Sequence, residues 1–223
     1  MGAVAERADE RVRADDSVLY LAGTGTFALE LLEYARAAGR EVVGLIELID
    51  RDRIGTVVHG QPVIGPEARP SGAARAVIAV GGARMPRWAQ LTVHGWTAGT
   101  IVHPRAAVSP SSEIAPGAVI GPLAVIGAAT LIGAQTLVGR GSTVGHHVTL
   151  GPGVVINPGA NVGGNTTIGE DCQVGIGATV VNAVQIGAGA VIAAGSVVVR
   201  DVPEDVRVQG VPARVYRENG VRP

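Results

Sequence analysis

Aliphatic residues recur at every sixth position from Val108 to Val198, through sixteen consecutive steps. The residue after the aliphatic one is glycine in ten of these steps, and the residue two before it is mostly small or branched. A six-residue period predicts a β-helix, because helical repeats run to about 30–45 residues. Each hexad would supply one short strand and one corner, and three hexads would close a triangular coil of 18 residues. The aliphatic side chain should point inward and stack about 4.8 Å from its equivalents above and below.

The pattern before this repeat is different, because strand-like and helix-like periods alternate between residues 17 and 97. Short apolar runs predict buried strands at Val18–Ala22, Glu41–Ile46 and Ala76–Val80. Thr26–Ala38 carries apolar residues at helical spacing and is followed by Gly39, a common helix terminator. Strand, glycine turn, helix and strand in this order predict a small Rossmann-like α/β domain with a parallel sheet.

The two patterns divide the chain. We predict a charged N-terminal extension over residues 1–16, a Rossmann-like domain over residues 17–99, a β-helix over residues 100–215, and a short tail over residues 216–223.

Composition narrows the possible functions. The chain has 223 residues, a formal net charge of −1, 3% aromatic residues and one cysteine. A near-neutral charge argues against nucleic acid as a partner, since such proteins carry a basic excess. No apolar run reaches the roughly 18–20 residues that span a bilayer. The lone Cys172 excludes an internal disulfide and falls in a small, inward-facing slot of the repeat. We therefore expect a soluble, cytoplasmic protein with no membrane partner.

The hexad pattern, an aliphatic residue, glycine and then a small residue, resembles that of the hexapeptide-repeat transferases. Ile101–Pro110 resembles the start of the coil in one subgroup, and Ala194–Pro203 with Gly210–Arg214 is similar to the end of the coil in acyl-CoA-dependent members. A preceding domain with Leu21–Ala28 and Gly60–Gly65 narrows the resemblance to sugar acyltransferases of the sialic-acid, perosamine and bacillosamine type. The similarity covers about residues 17–215.

This resemblance implies a left-handed coil, a homotrimer, acetyl-CoA in the groove between neighbouring coils, and no metal. It also implies that His146, in Ser142–Gly151, is the general base. The family usually has a carboxylate after the base, where this chain has His147, so His147 is a second catalytic candidate. Two further positions depart from the family: Gly139 replaces an asparagine, and Val155 replaces a histidine that faces the thioester.

The resemblance also implies the binding residues. For acetyl-CoA they are Val155 beside the acyl group, Gly163 and Gly164 as backbone N–H donors to the thioester carbonyl, and Ile176 and Ala194 along the pantetheine arm.

The residues that the resemblance assigns to the nucleotide-linked sugar lie in the first glycine turn and at the ends of the second and third predicted strands. They are Gly23, Thr24, Gly25, Thr26, Phe27, Glu47 and Gly81. Backbone amides and a helix N-terminus suit a phosphate group. Arg84 and Arg87 either contact phosphates or lie on the solvated surface.

We predict an acetyl-CoA-dependent N-acetyltransferase that acts on a nucleotide-activated amino sugar. Three alternatives remain open from the sequence. The acceptor could be a sugar hydroxyl. The chain could be a non-catalytic scaffold that binds nucleotide sugars, since several family residues are replaced. A zinc hydratase on the same coil would need three converging histidines, whereas only His146 and His147 lie on the coil proper.

Overall fold

The structure is a computed structural model that describes residues 18–72 and 74–218, without the side chains of residues 217 and 218. The predicted extension at residues 1–16 lies outside the described residues, as do residues 219–223 of the predicted tail. Within the described part of the chain, no helix is long and apolar enough to cross a membrane.

The first part of the chain folds into a sheet with helices on both faces. Its elements are β1 (Leu19–Ala22), α1 (Thr26–Ala37), β2 (Val42–Ile46), a 3-10 turn (Arg51–Arg53), β3 (Val57–Val58), β4 (Gln61–Ile64), β5 (Arg75–Ile78), α2 (Arg84–Thr92) and β6 (Thr97–Ala98). The strand order is β3-β4-β2-β1-β5-β6, and all neighbouring pairs are parallel except the β3–β4 hairpin. The three strands and the helix predicted from the sequence are present. The hairpin, β6 and α2 were not predicted.

Side-chain alternation in this sheet determines what each face covers. Leu19, Leu21 and Val77 point to one face, where they pack with Leu31 of α1. The opposite face packs against α2 through Leu91. Because parallel strands buried on both faces need apolar residues throughout, these strands carry continuous apolar runs.

The rest of the chain forms the coil that the hexads predict. It consists of two-residue strands, each followed by a corner: β7 (Ile101–Val102), β8 (Ala107–Val108), β9 (Glu113–Ile114), β10 (Val119–Ile120), β11 (Val125–Ile126), β12 (Leu131–Ile132), β13 (Leu137–Val138), β14 (Thr143–Val144), β15 (Thr149–Leu150), β16 (Val155–Ile156), β17 (Asn161–Val162), β18 (Thr167–Ile168), β19 (Gln173–Val174), β20 (Thr179–Val180), β21 (Gln185–Ile186), β22 (Val191–Ile192) and β23 (Val197–Val198). A hairpin of β24 (Val206–Gly210) and β25 (Ala213–Glu218) closes the end of the coil.

These strands form three parallel sheets. Sheet I contains β7, β10, β13, β16, β19 and β22 and continues into β24 and β25. Sheet II contains β8, β11, β14, β17, β20 and β23. Sheet III contains β9, β12, β15, β18 and β21. Neighbouring strands pair residues 18 apart, as Ile120 pairs with Val138 and Val138 with Ile156. The predicted coil of three hexads is therefore confirmed.

The small slot two residues before each inward aliphatic side chain is also buried. In this slot the hydroxyls of Thr130, Thr136, Ser142 and Thr166 each donate to a backbone carbonyl 15 residues later, as Ser142 does to Asn157 at 2.9 Å. Cys172 occupies the same slot, its Sγ lies 2.9 Å from the carbonyl oxygen of Gly187, and burial raises the pKa of its thiol to about 11. Buried polar groups need such partners, so Cys172 is a core residue, as predicted.

In the corners of the coil, one position has positive φ and a different position allows adjacent coils to approach closely, and the sequence did not predict which position does which. Positive φ occurs three residues before the aliphatic residue, for example at Gly141 (φ 65°) and His147 (φ 56°). The glycine after the aliphatic residue serves close approach. A Cβ on Gly127 would lie 2.5 Å from the carbonyl carbon of Gly145 on the next coil.

The sheet and helices between Leu19 and Ala98, which we call the α/β layer, pack on the first four strands of sheet I. The outward side chains Ile101, Val119, Leu137 and Val155 are buried in the same cluster as α1 and the facing side of the N-terminal sheet. At the edge of this contact, Arg140 of the coil forms an ion pair of 2.7 Å with Glu30 of α1.

Candidate functional site

The 18-residue register brings four polar or small residues from successive coils to one corner, between sheets II and III. Ala128, His146, Gly164 and Asn182 occupy the same place on successive coils, and we call this stack the histidine corner. Backbone bonds join its steps: the N–H of the residue after His146 donates to Ala128 O at 2.8 Å, and that of the residue after Gly164 donates to His146 O at 2.9 Å.

The His146 side chain is exposed and lies over the next coil. A Cβ built on Gly164 would lie 2.8 Å from His146 Nε2, so the absence of a side chain at Gly164 makes room for the imidazole. The predicted base and the predicted N–H donor are therefore neighbours in space, although 18 residues separate them in the chain.

His147 contacts the base directly. The Nδ1 atoms of His146 and His147 are 3.0 Å apart, and the two rings meet edge to face with centroids 5.2 Å apart. One Nδ1 must carry a proton and the other must accept it, because two bare lone pairs would repel. The pair is thus joined by a single N–H···N hydrogen bond.

The backbone N–H of Gly164 already has a partner within the chain. It donates to Asn182 Oδ1 at 3.0 Å, and a Cβ on Gly163 would collide with the same oxygen. Asn182 was not singled out from the sequence. An 18-residue frame counted from His146 would have found it, because it lies two coils away in the same place.

An open groove of about 570 Å³ leads across sheet II to this corner. Its lining includes Thr143, Asn161 and Thr179 on the outer face of the sheet and Gly163 and Asn182 at the corner.

The two predicted pantetheine residues lie at a different corner. Ile176 and Ala194 are stacked between sheets I and II, as the bond from Gly195 N to Ile176 O at 2.9 Å indicates. Both side chains are exposed. Within one chain, the width of sheet II therefore separates them from His146.

Val155 is not available to a cofactor in that groove, and the prediction that it lies beside the acyl group is wrong for this chain. Its side chain is 1% exposed, because it faces outward from sheet I into the contact with the α/β layer. The hexad period indicated an outward slot but could not indicate which of three faces it belonged to.

A second cluster surrounds the first glycine turn, where the carboxyl ends of β1 and β2 meet. The Thr24 hydroxyl donates to Glu47 Oε2, while Glu47 Oε1 accepts from the N–H groups of Ile49 at 2.8 Å and Asp50 at 3.1 Å. Burial raises the pKa of Glu47, but these hydrogen bonds outweigh it and hold the pKa below its ordinary value. Glu47 is 7% exposed. Glu47 therefore braces the turn, and its contact with a nucleotide-linked sugar stays a prediction.

Two residues beside this turn were missed by the sequence analysis. Arg53 Nη1 donates to the Thr24 hydroxyl at 3.1 Å, and His59 Nε2 lies 3.2 Å from the carbonyl oxygen of Gly25. Asp50 pairs with Arg53 at 3.3 Å. No periodic signal marks these positions, since they lie in the irregular segment between β2 and β4.

The other predicted sugar-binding residues differ in exposure. Gly25, Thr26 and Gly81 are exposed at the carboxyl edge of the sheet. Gly23 is buried, and a Cβ there would lie 2.9 Å from Ala79 O. Phe27 is half-buried and packs against the cluster between the α/β layer and the coil, so most of its ring serves the core.

Arg84 is neither a phosphate ligand nor a surface residue. It is fully buried, and it donates to the carbonyls of Ile78 at 3.0 Å, Val80 at 2.9 Å and Gln135 of the coil. Burial lowers the pKa of its guanidinium to about 9. Arg84 thus links the end of β5 to the coil.

Among residues 18–72 and 74–218, no three His, Cys, Asp or Glu side chains converge closely enough to hold a metal ion.

Comparison with known proteins shows which proteins share this architecture. Residues 165–200 match the family described as bacterial transferase hexapeptide (six repeats). No curated protein sequence matches the chain.

Solved structures match over nearly the whole chain. GDP-perosamine N-acetyltransferase from Caulobacter crescentus, in complex with CoA and GDP-perosamine, is 30% identical, with 91% of this chain and 98% of that chain covered and a TM-score of 0.83. The acetyltransferase domain of PglB from Neisseria gonorrhoeae, in complex with acetyl coenzyme A, is 32% identical, with 88% and 98% covered and a TM-score of 0.79. WeeI from Acinetobacter baumannii, at 23% identity, 89% and 99% coverage and a TM-score of 0.65, shares the fold.

The coil and its preceding α/β layer are therefore those of a hexapeptide-repeat transferase. More narrowly, the chain belongs to the hexapeptide-repeat sugar N-acyltransferase family, and it is an acyltransferase.

Proposed function

We propose that this protein transfers the acetyl group of acetyl-CoA to the amino group of a nucleotide-linked amino sugar. Relatives crystallised with CoA and GDP-perosamine, or with acetyl coenzyme A, support both substrates. The observation that carries the proposal is the position of the His146 imidazole. It lies over Gly164 at the end of an open groove, where a base and a backbone N–H donor meet.

The chemistry assigned to this corner is direct transfer. The amine nitrogen attacks the thioester carbon, a C–N bond forms, and the carbonyl electrons move to oxygen. His146 Nε2 accepts the proton that the nitrogen loses. When the C=O bond re-forms, the C–S bond breaks and the departing CoA thiolate receives that proton. A base in hydrogen-bond reach contributes roughly 10²–10⁴ in rate.

His147 is assigned the role of fixing the tautomer of the base. For Nε2 of His146 to hold a lone pair, its proton must lie on Nδ1. The Nδ1 of His147, 3.0 Å away, can accept that proton. The hydrogen bond at one ring nitrogen determines the state of the other. His147 would thus orient the base, as the family's carboxylate does, but without adding a negative charge.

The backbone N–H of Gly164 is assigned to the oxyanion. A preorganised donor of this kind stabilises the transition state by about 3–4 kcal/mol. The groove across sheet II would hold the pantetheine arm. Ile176 and Ala194 would contact CoA from the other edge of that sheet or from a neighbouring copy.

The α/β layer is assigned to the nucleotide-linked sugar as a Rossmann-like domain. The turn of Gly23, Thr24, Gly25, Thr26 and Phe27 leads into α1, whose N-cap residue Gly25 has no side chain. Helix N-termini bind phosphate. Arg53 and His59, beside the same turn, would add a positive charge and a hydrogen-bonding ring for the diphosphate. Gly81 would contact the sugar nucleotide from the end of β5.

We further propose a left-handed coil and a homotrimer. Large apolar side chains are exposed on the coil surface, including Leu123 at 57%, Ile176 at 62% and Leu131 at 45%. In the proposed trimer, the neighbouring coils would cover these side chains.

The decisive experiment is thiol release from acetyl-CoA across a panel of nucleotide-linked sugars with and without an amino group. We expect at least one amino sugar to be acetylated by the wild-type chain, and we expect His146→Ala to lower kcat by about 10²–10⁴-fold. Sedimentation should give the same trimer for both proteins. His94→Ala, which removes an exposed histidine of the α/β layer, serves as the control and should keep full activity.

Full turnover in His146→Ala would remove the base from this proposal. Release of thiol only with sugars that lack an amino group would move the acceptor to a hydroxyl. If no nucleotide sugar supports thiol release although one binds, the scaffold alternative replaces the enzyme.

A further inference from the structure

The histidine corner holds a side chain that no part of the proposed reaction uses. The carboxamide of Asn182 lies across the outer side of Gly163 and Gly164, and its Oδ1 accepts the Gly164 N–H at 3.0 Å. The His146 ring lies against the same Gly164. The glycine is therefore enclosed between an imidazole and a carboxamide.

The oxygen of this carboxamide is chemically close to the oxygen of the substrate. Both are carbonyl oxygens on an sp² acyl carbon, and both accept a hydrogen bond near the plane of the carbonyl group. The N–H of Gly164 has a single hydrogen, which forms a well-aligned bond with only one of them. In the proposed reaction the acyl oxygen must take this hydrogen, so Asn182 Oδ1 and the thioester oxygen compete.

The Asn182 side chain can rotate away from the Gly164 N–H without disturbing the coil. The residue is exposed and lines the open groove. The coil at this step is held by the backbone, through the bond from Ala183 N to Gly164 O at 2.9 Å. Rotation of the side chain toward solvent therefore breaks one hydrogen bond and leaves the register intact.

We propose that Asn182 is a substitute for the acyl oxygen: it occupies the oxyanion donor when no acyl-CoA is bound, and the thioester displaces it. This proposal rests on the proposed function. It makes Asn182 a determinant of affinity for the acyl donor. A bound acyl carbonyl must replace a hydrogen bond that the enzyme already makes, so acyl-CoA binds more weakly than it would to an open site.

The test compares Asn182→Ala with the wild-type chain. Losing the competing hydrogen bond should lower KM for acetyl-CoA by about 3–10-fold, with kcat within about twofold and KM for the sugar unchanged. Calorimetry with S-acetonyl-CoA, a ketone analogue that keeps the carbonyl and cannot transfer it, should show the same gain. CoA itself, which has no acyl oxygen, should bind both proteins equally. Gln185→Ala removes an exposed amide on sheet III and is the control.

Asn182→Asp supplies the opposite change. A carboxylate holds an N–H more strongly than an amide oxygen does, so the ketone analogue should bind this variant more weakly than the wild type. Equal binding of the analogue to all three proteins would overturn the proposal. A lower kcat in Asn182→Ala at unchanged KM would also overturn it, because Asn182 would then assist the transition state. Absence of CoA binding and of acetyl transfer in the wild type would instead refute the proposed function.

Discussion

At the scale of single residues, the site depends on the absence of a side chain at Gly164. Any side chain there would start 2.8 Å from His146 Nε2 and push the imidazole off the coil. The same position presents its N–H to the groove side of the corner. One glycine therefore makes room for the base and supplies the donor, and this explains why the small residue and the histidine lie 18 residues apart.

Replacing His147 tests whether it fixes the tautomer of His146. Asn165 and Gly153 occupy the equivalent corner position with φ of 57° and 70°, so His147→Asn and His147→Gly keep the backbone. Asparagine retains an acceptor for the Nδ1 proton, whereas glycine removes it. We expect His147→Gly to lower kcat roughly tenfold with both KM values unchanged, and His147→Asn to recover most of the loss. Steady-state kinetics of the two variants check this.

The comparison between the two variants is the informative one, since a purely structural role for His147 would affect them alike. Equal loss in both, or a change confined to KM, would contradict the assigned role.

At the scale of the elements, the coil is held by repeated close approach of its corners. The glycine that follows the aliphatic residue in ten of the sixteen steps lets the next coil stack directly above it. The inward aliphatic residues and the hydroxyls bonded to carbonyls fill a prism too narrow for aromatic rings, which agrees with the low aromatic content of 3%.

Gly127→Ala should damage both the stack and the site. Its new Cβ would lie 2.5 Å from the Gly145 carbonyl carbon and 2.6 Å from the His146 backbone N, so the coil that carries the base must shift. We expect a loss of about 1–3 kcal/mol in the free energy of unfolding and a lower kcat. Denaturant unfolding and kinetics measure the two effects.

Gly169→Ala is the matched variant, because its Cβ would meet the backbone of Ala188 at 2.5 Å, away from the histidine corner. It should lose similar stability and keep kcat. A normal kcat in both variants would mean that the position of His146 does not depend on the stacking of its coil.

At the scale of the whole molecule, an apolar contact, the ion pair of Arg140 with Glu30 and the buried cation Arg84 join the α/β layer to the coil. Arg84 donates to two carbonyls at the end of β5 and to one on the coil. The neighbouring Gly81 is a proposed sugar contact, so Arg84 would hold the sugar site at a fixed place relative to the coil.

Arg84→Met should loosen this connection. The methionine fills part of the volume but leaves the carbonyls of Ile78, Val80 and Gln135 without this donor, and we expect a loss of about 2–4 kcal/mol in the free energy of unfolding. KM for the nucleotide sugar should rise, while affinity for CoA should hold. Denaturant unfolding and calorimetry check these outcomes.

Arg36→Met, on the exposed side of α1, is the control and should change neither quantity. A stable Arg84→Met protein with unchanged KM for the sugar would show that the apolar contact alone aligns the two parts.

The sequence by itself determined the coil, its 18-residue turn, the inward residues and the βαβ order of the layer before it. Period is a local property, repeated sixteen times, and one side-chain direction per slot follows from it. The family resemblance added His146 and Gly164 as a pair. No local signal marked the hairpin of β3 and β4 or the helix α2.

Only the tertiary structure decided which outward slots meet each other and what covers them. A hexad pattern is the same on all three faces of a prism, so it could not tell that Val155 lies under the α/β layer while Asn182 lies beside His146. The sequence also did not indicate that Arg84 is buried or that Glu47 accepts hydrogen bonds from the backbone that follows it. Those outcomes depend on how one part of the chain packs on another, and that packing is set by contacts between residues far apart in the sequence.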